Sequence, residues 1–177
     1  MTTYLVRLAD YNNWANRGLL DFLGKQPSDT LDATTSGVYG TIRATFEHLL
    51  TSELGYQRRL AGLPPYDLEG RPERPTLDDL RLLADESAAN LMRLIEALPD
   101  PGTMLLTRTG NRAAATILTQ LITHGAEHRT HIGTILGSNG IEPPDLDSWA
   151  HGIRVHGDDW PEDWGAEPAD RTAPTGG

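Results

Sequence analysis

The 177-residue chain carries 25 acidic against 15 basic residues, a net charge of −10, and no cysteine. The missing cysteines exclude a disulfide framework, thiolate-ligated zinc and a cysteine nucleophile, and the negative balance argues against nucleic acid or an anionic membrane as partner. The length suits one domain with a sizeable core, and with no apolar window of about 18 residues a soluble, cytoplasmic protein without a membrane span is expected.

The first helix is expected from a cap at Thr2 or Thr3 to about Leu23, with Tyr4, Leu8, Tyr11, Asn12, Ala15, Leu19 and Phe22 on one face. Asn12 is the polar member of that face, either satisfied within the protein or turned to a polar cavity. Trp14 projects roughly 120° off the stripe, so it must pack on a neighbouring helix, a loop or another subunit. Gly24 ends the helix and a polar connection runs to about Tyr39. A second helix spans about Thr41 to Ala61, with Ile42, Phe46, Leu49, Tyr56 and Leu60 along one side and His48 on a flank of small residues, Thr45, Ser52 and Gly55. Gly62, Pro64 and Pro65 stop it, and the segment to Pro75 reads as a long crossing loop.

Thr76 caps a third helix with Asp79 at the capping-box position, and its 3-4 alternation from Leu77 to Leu98 carries no candidate ligand. Residues 99–111 break the helical pattern and suit a short extended turn or hairpin. After the last long helix, Asp147 or Ser148 can cap a short turn containing Trp149, and Trp160 and Trp164 suggest that the late segment packs back on the body. From Glu142 onward nine acids face two arginines, a solubilising balance, and Gly165 to Gly177 is expected to be disordered.

The last long helix holds the most informative stretch, Leu118 to Leu136. Ile117, Leu121, His124, His128, His131 or Ile132, and Ile135 recur at spacings of four and three, so three histidines stand where core leucines are expected. His128 lies roughly 40° round the helix from His124 and about 6 Å along it, close enough for both imidazoles to meet one ion. A buried neutral imidazole needs a partner for each ring nitrogen, which a helix interior rarely offers and a metal supplies. Further ligands must be His, Asp or Glu, and His48, His151 and His156 are the remaining histidines.

The motif YNNWAN (residues 11 to 16), His48 within FEHLL with Glu53 five residues on, and His124, His128 and Arg129 as H-x3-H-R resemble the DinB-like metal-binding bundles, a group related to the bacillithiol and mycothiol S-transferases. The resemblance, over about residues 4 to 150, implies an all-α four-helix bundle as a domain of residues 1–150, and the composition beyond it leaves residues 151–164 as an extension packing on the bundle and 165–177 as a tail. It also implies a metal triad of His48, His124 and His128 and a homodimer. The related pattern continues H-R-G-Q where this chain has His131 at the Gln position, which leaves open whether His131 tunes the site, binds substrate or competes as a ligand.

Three imidazoles leave a coordination position open, which suits reaction chemistry rather than a structural site. All-imidazole ligation suits zinc or nickel, and the resemblance implies a low-molecular-weight thiol as co-substrate, attacking a small electrophile. Asn12 and Glu53 are then candidates for holding the thiol, and Glu127 and His131 for catalysis. The alternatives are a hydrolase using metal-bound water, since His124 to His128 also reads H-x-x-E-H with Glu127 as base, and a metal-binding bundle without turnover.

Overall fold

A computed structural model of the chain describes residues 3–159. Four long helices dominate it: α1 (Thr3–Leu23), α2 (Ile42–Leu60), α3 (Leu77–Glu96) and α4 (Ala114–Ser138). Helix α1 packs on α3 and α4, and α2 on the same two. Local chemistry sets the ends: the Thr41 hydroxyl accepts from the Ala44 amide at the start of α2, and Thr76 and Asp79 form a reciprocal capping box on α3. Each cap satisfies orphan amides and contributes about 1 kcal/mol.

The main core joins Leu19, Leu20 and Leu23 of α1, Phe46, Leu49 and Leu50 of α2, Leu80 and Leu83 of α3, and Ile132, Ile135 and Leu136 of α4. Helix α1 is turned relative to the expected stripe. Tyr4 and Leu8 are exposed, while Ala9, Asn12, Ala15, Asn16, Leu20 and Leu23 face inward. Both sets fit a helical period, and Asn16 decides between them because its amide is needed inside. The connection after α1 contains a 3-10 turn, Ser28–Asp32, whose Thr30 and Leu31 are buried.

The segment before α4 is an antiparallel hairpin of β1 (Met104–Thr107) and β2 (Gly110–Ala113), with Thr107 opposite Gly110. Gly110 takes a φ of 105°, a conformation that needs glycine at the tight turn. After α4, a one-turn helix α5 (Ser148–His151), capped by Asp147, runs into a π-helical turn at Gly152–His156. This segment returns to α1 through the buried Ala150 and His151, whereas Trp149 is exposed. Trp160, Trp164 and the tail from Gly165 lie outside the described residues. Among the described residues no helix is long and apolar enough to cross a membrane.

Candidate metal centre

His48 on α2 and His124 and His128 on α4 converge across the interface of those two helices. The Nε2 atom of His124 lies 3.3 Å from that of His48 and 3.1 Å from that of His128. Donors bound about 2.1 Å from a single ion at angles between octahedral and tetrahedral are separated by about 3.0–3.4 Å, so the spacing fits a shared divalent metal. The i, i+4 offset on α4 brings the second and third rings together, and the small residues beside His48 admit the first.

The electrostatics of the cluster keep the imidazoles in the ligating form. Burial, and the neighbouring His48, lower the pKa of His124 to about 4. Burial, followed by the charges of His124, His48 and His131, lowers that of His128 to about 4. Burial also pulls His48 down. All three are therefore neutral at pH 7, each with a lone pair to offer. Tyr39, from the loop before α2, stacks on His48 with ring centroids 4.2 Å apart and meets His128 edge-on at 5.2 Å.

Behind the triad a buried polar network fixes how α4 sits. Glu53 of α2 accepts hydrogen bonds from the amide nitrogens of Asn12 (2.9 Å) and Asn16 (3.1 Å) and from the Ser87 hydroxyl (2.7 Å). The Arg129 guanidinium donates to the amide oxygens of the same two asparagines, at 3.0 and 2.7 Å. Two amides thus link a buried cation to a buried anion, and both asparagine orientations follow from that. The network presses on the α4 backbone at Gly125, where an added Cβ would lie 2.9 Å from the Asn12 oxygen and 3.1 Å from the Glu53 oxygen. Residue 125 follows His124 directly, so the contact that positions the helix also sets the ligands.

A family model described as the DinB family matches residues 1–155. The chain belongs to the DinB family. No curated protein matches it. The resemblance read from YNNWAN, His48 and H-x3-H-R is borne out at the level of the family, and a three-histidine group that could hold a metal is present in this DinB protein.

The other residues singled out from the sequence do not gather over the triad. Asn12 and Glu53, the candidates for holding the thiol, are fully buried in the network with their polar atoms taken up by neighbours, so of the two alternatives for Asn12 the structure has the one satisfied within the protein. Glu127 is exposed on α4. His131 is half-buried one turn beyond His128, with ring centroids 5.3 Å apart, and stands outside the convergent group.

The open space lies elsewhere. A cavity of about 590 Å³ borders His48 and runs between α2, α4 and the hairpin, lined by Ser52, Gly55, Tyr56, Arg59, Tyr66, Arg108 and Arg112 among others. Three arginines face it, and among its described lining residues none is acidic. Sequence reasoning found the small flank of His48 that opens the cavity but missed Tyr39 and the arginines. The hairpin carries Arg108 and Arg112 to the site, and only an explicit docking of that hairpin on α2 could have shown it.

Proposed function

We propose that this DinB protein is a four-helix-bundle S-transferase in which His48, His124 and His128 hold zinc or nickel and a low-molecular-weight thiol is the nucleophile. When bound, such an ion would draw a thiol or a water toward its deprotonated form. The observation that carries the reading is the cavity beside His48, which offers arginines and no carboxylate. Water is a far weaker acid than a thiol and its use in hydrolysis is commonly assisted by a general base, whereas a thiol with a pKa near 8.5 needs far less help. Glu127, the residue that would serve as base in a hydrolase, points to solvent on α4 rather than lining the cavity.

The chain's own residues then bind and orient. Arg59, Arg108 and Arg112 give the cavity a positive wall suited to a carboxylate or phosphate on the thiol or on its electrophile. Tyr39 covers one face of His48 and limits water at that side of the cluster. His131 acts beside His128 as a proton carrier or a substrate contact rather than as a ligand.

The deciding experiment incubates metal-loaded protein with bacillithiol, mycothiol or glutathione and an electrophile such as monochlorobimane. Conjugation that needs both the metal and an added thiol is the expected result. No acceleration with any thiol, together with metal-dependent ester or amide cleavage, would establish the hydrolase instead, and metal binding with neither activity would leave a binding protein. We further propose a cytoplasmic homodimer, for which a sedimentation mass near twice 19.4 kDa is expected.

A further inference from the structure

A second constellation of metal-ligating side chains lies on the other side of α1. Asp10 of α1 meets His151 and His156 of the C-terminal segment. The Nε2 atoms of the two histidines lie 3.2 and 3.3 Å from the same Asp10 Oδ2. Their rings are 4.7 Å apart, and the three donor atoms lie within 4.8 Å of one another. His151 is 96% buried, leaving 4% of its surface exposed.

A hydrogen-bonded Asp–His pair would be the ordinary explanation, and the geometry argues against it. Both Nε2 atoms are closed off from solvent and neither has a hydrogen-bond partner among the described residues, although each is within contact distance of the carboxylate. A ring nitrogen donates or accepts only along its in-plane axis, so these axes miss the oxygen. Two imidazoles and a carboxylate that crowd together without bonding to one another are short of a common partner. Contacts of 3.2 and 3.3 Å are also the separations of two donors about 2.1 Å from one ion.

The local fold serves this arrangement. On an α-helix, positions five apart point about 140° away from each other. The π turn at Gly152–His156 winds one residue wider, which brings His156 back over His151. Gly157, at φ 70°, ends the turn. Trp14 and Tyr11 pack on the His151 ring at 5.1 and 5.8 Å and hold its orientation, as surrounding groups do for metal-bound histidines. The Asp10 side chain is 43% exposed, so an ion can enter from solvent.

We propose that Asp10, His151 and His156 form a second divalent transition-metal site that fastens the C-terminal segment to α1. Two imidazoles and a carboxylate suit zinc, cobalt or ferrous iron, with water completing the coordination. The site shares no residue with the His48, His124, His128 triad, and its occupancy is read independently of any activity.

The test uses the full chain, stripped with chelator, reloaded with Zn²⁺ or Co²⁺ alone, desalted and assayed for metal content. The expected content is about 2 ions per chain for the wild type and about 1 for His128→Ala, for His156→Ala and for Asp10→Asn, with about 0 for His128→Ala combined with His156→Ala. Asp10→Asn keeps the side-chain volume and guards against a variant that simply fails to fold. Added Co²⁺ should also raise the melting temperature of His128→Ala and leave that of the double variant unchanged. A wild type that loses all its metal on His128→Ala, or a content unaffected by both His156→Ala and Asp10→Asn, would overturn the proposal.

Discussion

Gly125→Ala separates two opposed effects on one residue. In the middle of a helix this change ordinarily stabilises by about 0.5–1 kcal/mol, since alanine loses less backbone entropy on folding. Here the new Cβ would sit 2.9 Å from the Asn12 oxygen and 3.1 Å from both the Arg129 nitrogen and the Glu53 oxygen. None of the three can swing aside cheaply, because each is hydrogen-bonded within a network shut off from water. Losing one bond to a charged partner costs about 1.5–3 kcal/mol, so after the helix gain the variant should be less stable by roughly 0.5–2.5 kcal/mol. At about 2–4 °C per kcal/mol for a chain of this size, the melting temperature should fall by roughly 1–10 °C. Urea and thermal unfolding of metal-free protein would measure this without ligand linkage. Gly133→Ala on the same helix is the control, since its Cβ would meet only Pro143 at 3.8 Å, and it should gain about 0.5–1 kcal/mol. A Gly125→Ala protein as stable as its parent would show that the network yields, and that it does not fix α4.

Replacing His48, His124 or His128 singly by Ala should abolish metal binding at that cluster, whereas His131→Ala should retain it, checked by metal analysis of each variant. The pH dependence follows from the depressed imidazoles. With folded values of about 4 for His124 and His128 against 6.5 unfolded, the unfolded chain takes up protons first as pH falls. The stability of the metal-free protein should therefore hold above about pH 6.5 and be lost progressively down to about pH 4, and His124→Gln with His128→Gln should remove part of that slope in urea titrations. Removing residues 165–177 should leave the melting temperature unchanged, while ending the chain before Trp149 should lower it, because the buried Ala150 and His151 and their packing on Trp14 go with the cut.

Much of this was legible because it is local. The cap at Thr76, the stop after α2, the break that became the hairpin and the i, i+4 pair on α4 each depend on residues a few positions apart. His48 was harder, since joining it to a pair 76 residues away took a family resemblance. The surroundings of Asn12 and Glu53 were not legible, for a physical reason. A polar residue on an inward face signals a polar environment, and the sequence does not distinguish a cavity from a set of partners that satisfy one another. In this fold Asn12 and Asn16 partner Glu53 on one side and Arg129, buried against α1, on the other.

Trp14 shows how one short motif can serve two neighbours at once. Along α1, Asn12 and Asn16 are four residues apart and share a face, and Asp10 and Trp14 are four apart on a face about 160° away. The first pair holds Arg129 and Glu53, and the second meets His151 of the C-terminal segment. A tryptophan off the core stripe suggests a second subunit only while no part of its own chain covers it. Here the segment after α4 does so, and Trp14 therefore gives no support to self-association. If a dimer forms, its surface must come from apolar residues that remain exposed, such as Tyr4 and Leu8 on α1 or Leu82 on α3. Leu82→Glu and Leu8→Glu would then dissociate it in sedimentation experiments, while Trp14→Ala would release the C-terminal segment and leave the mass unchanged.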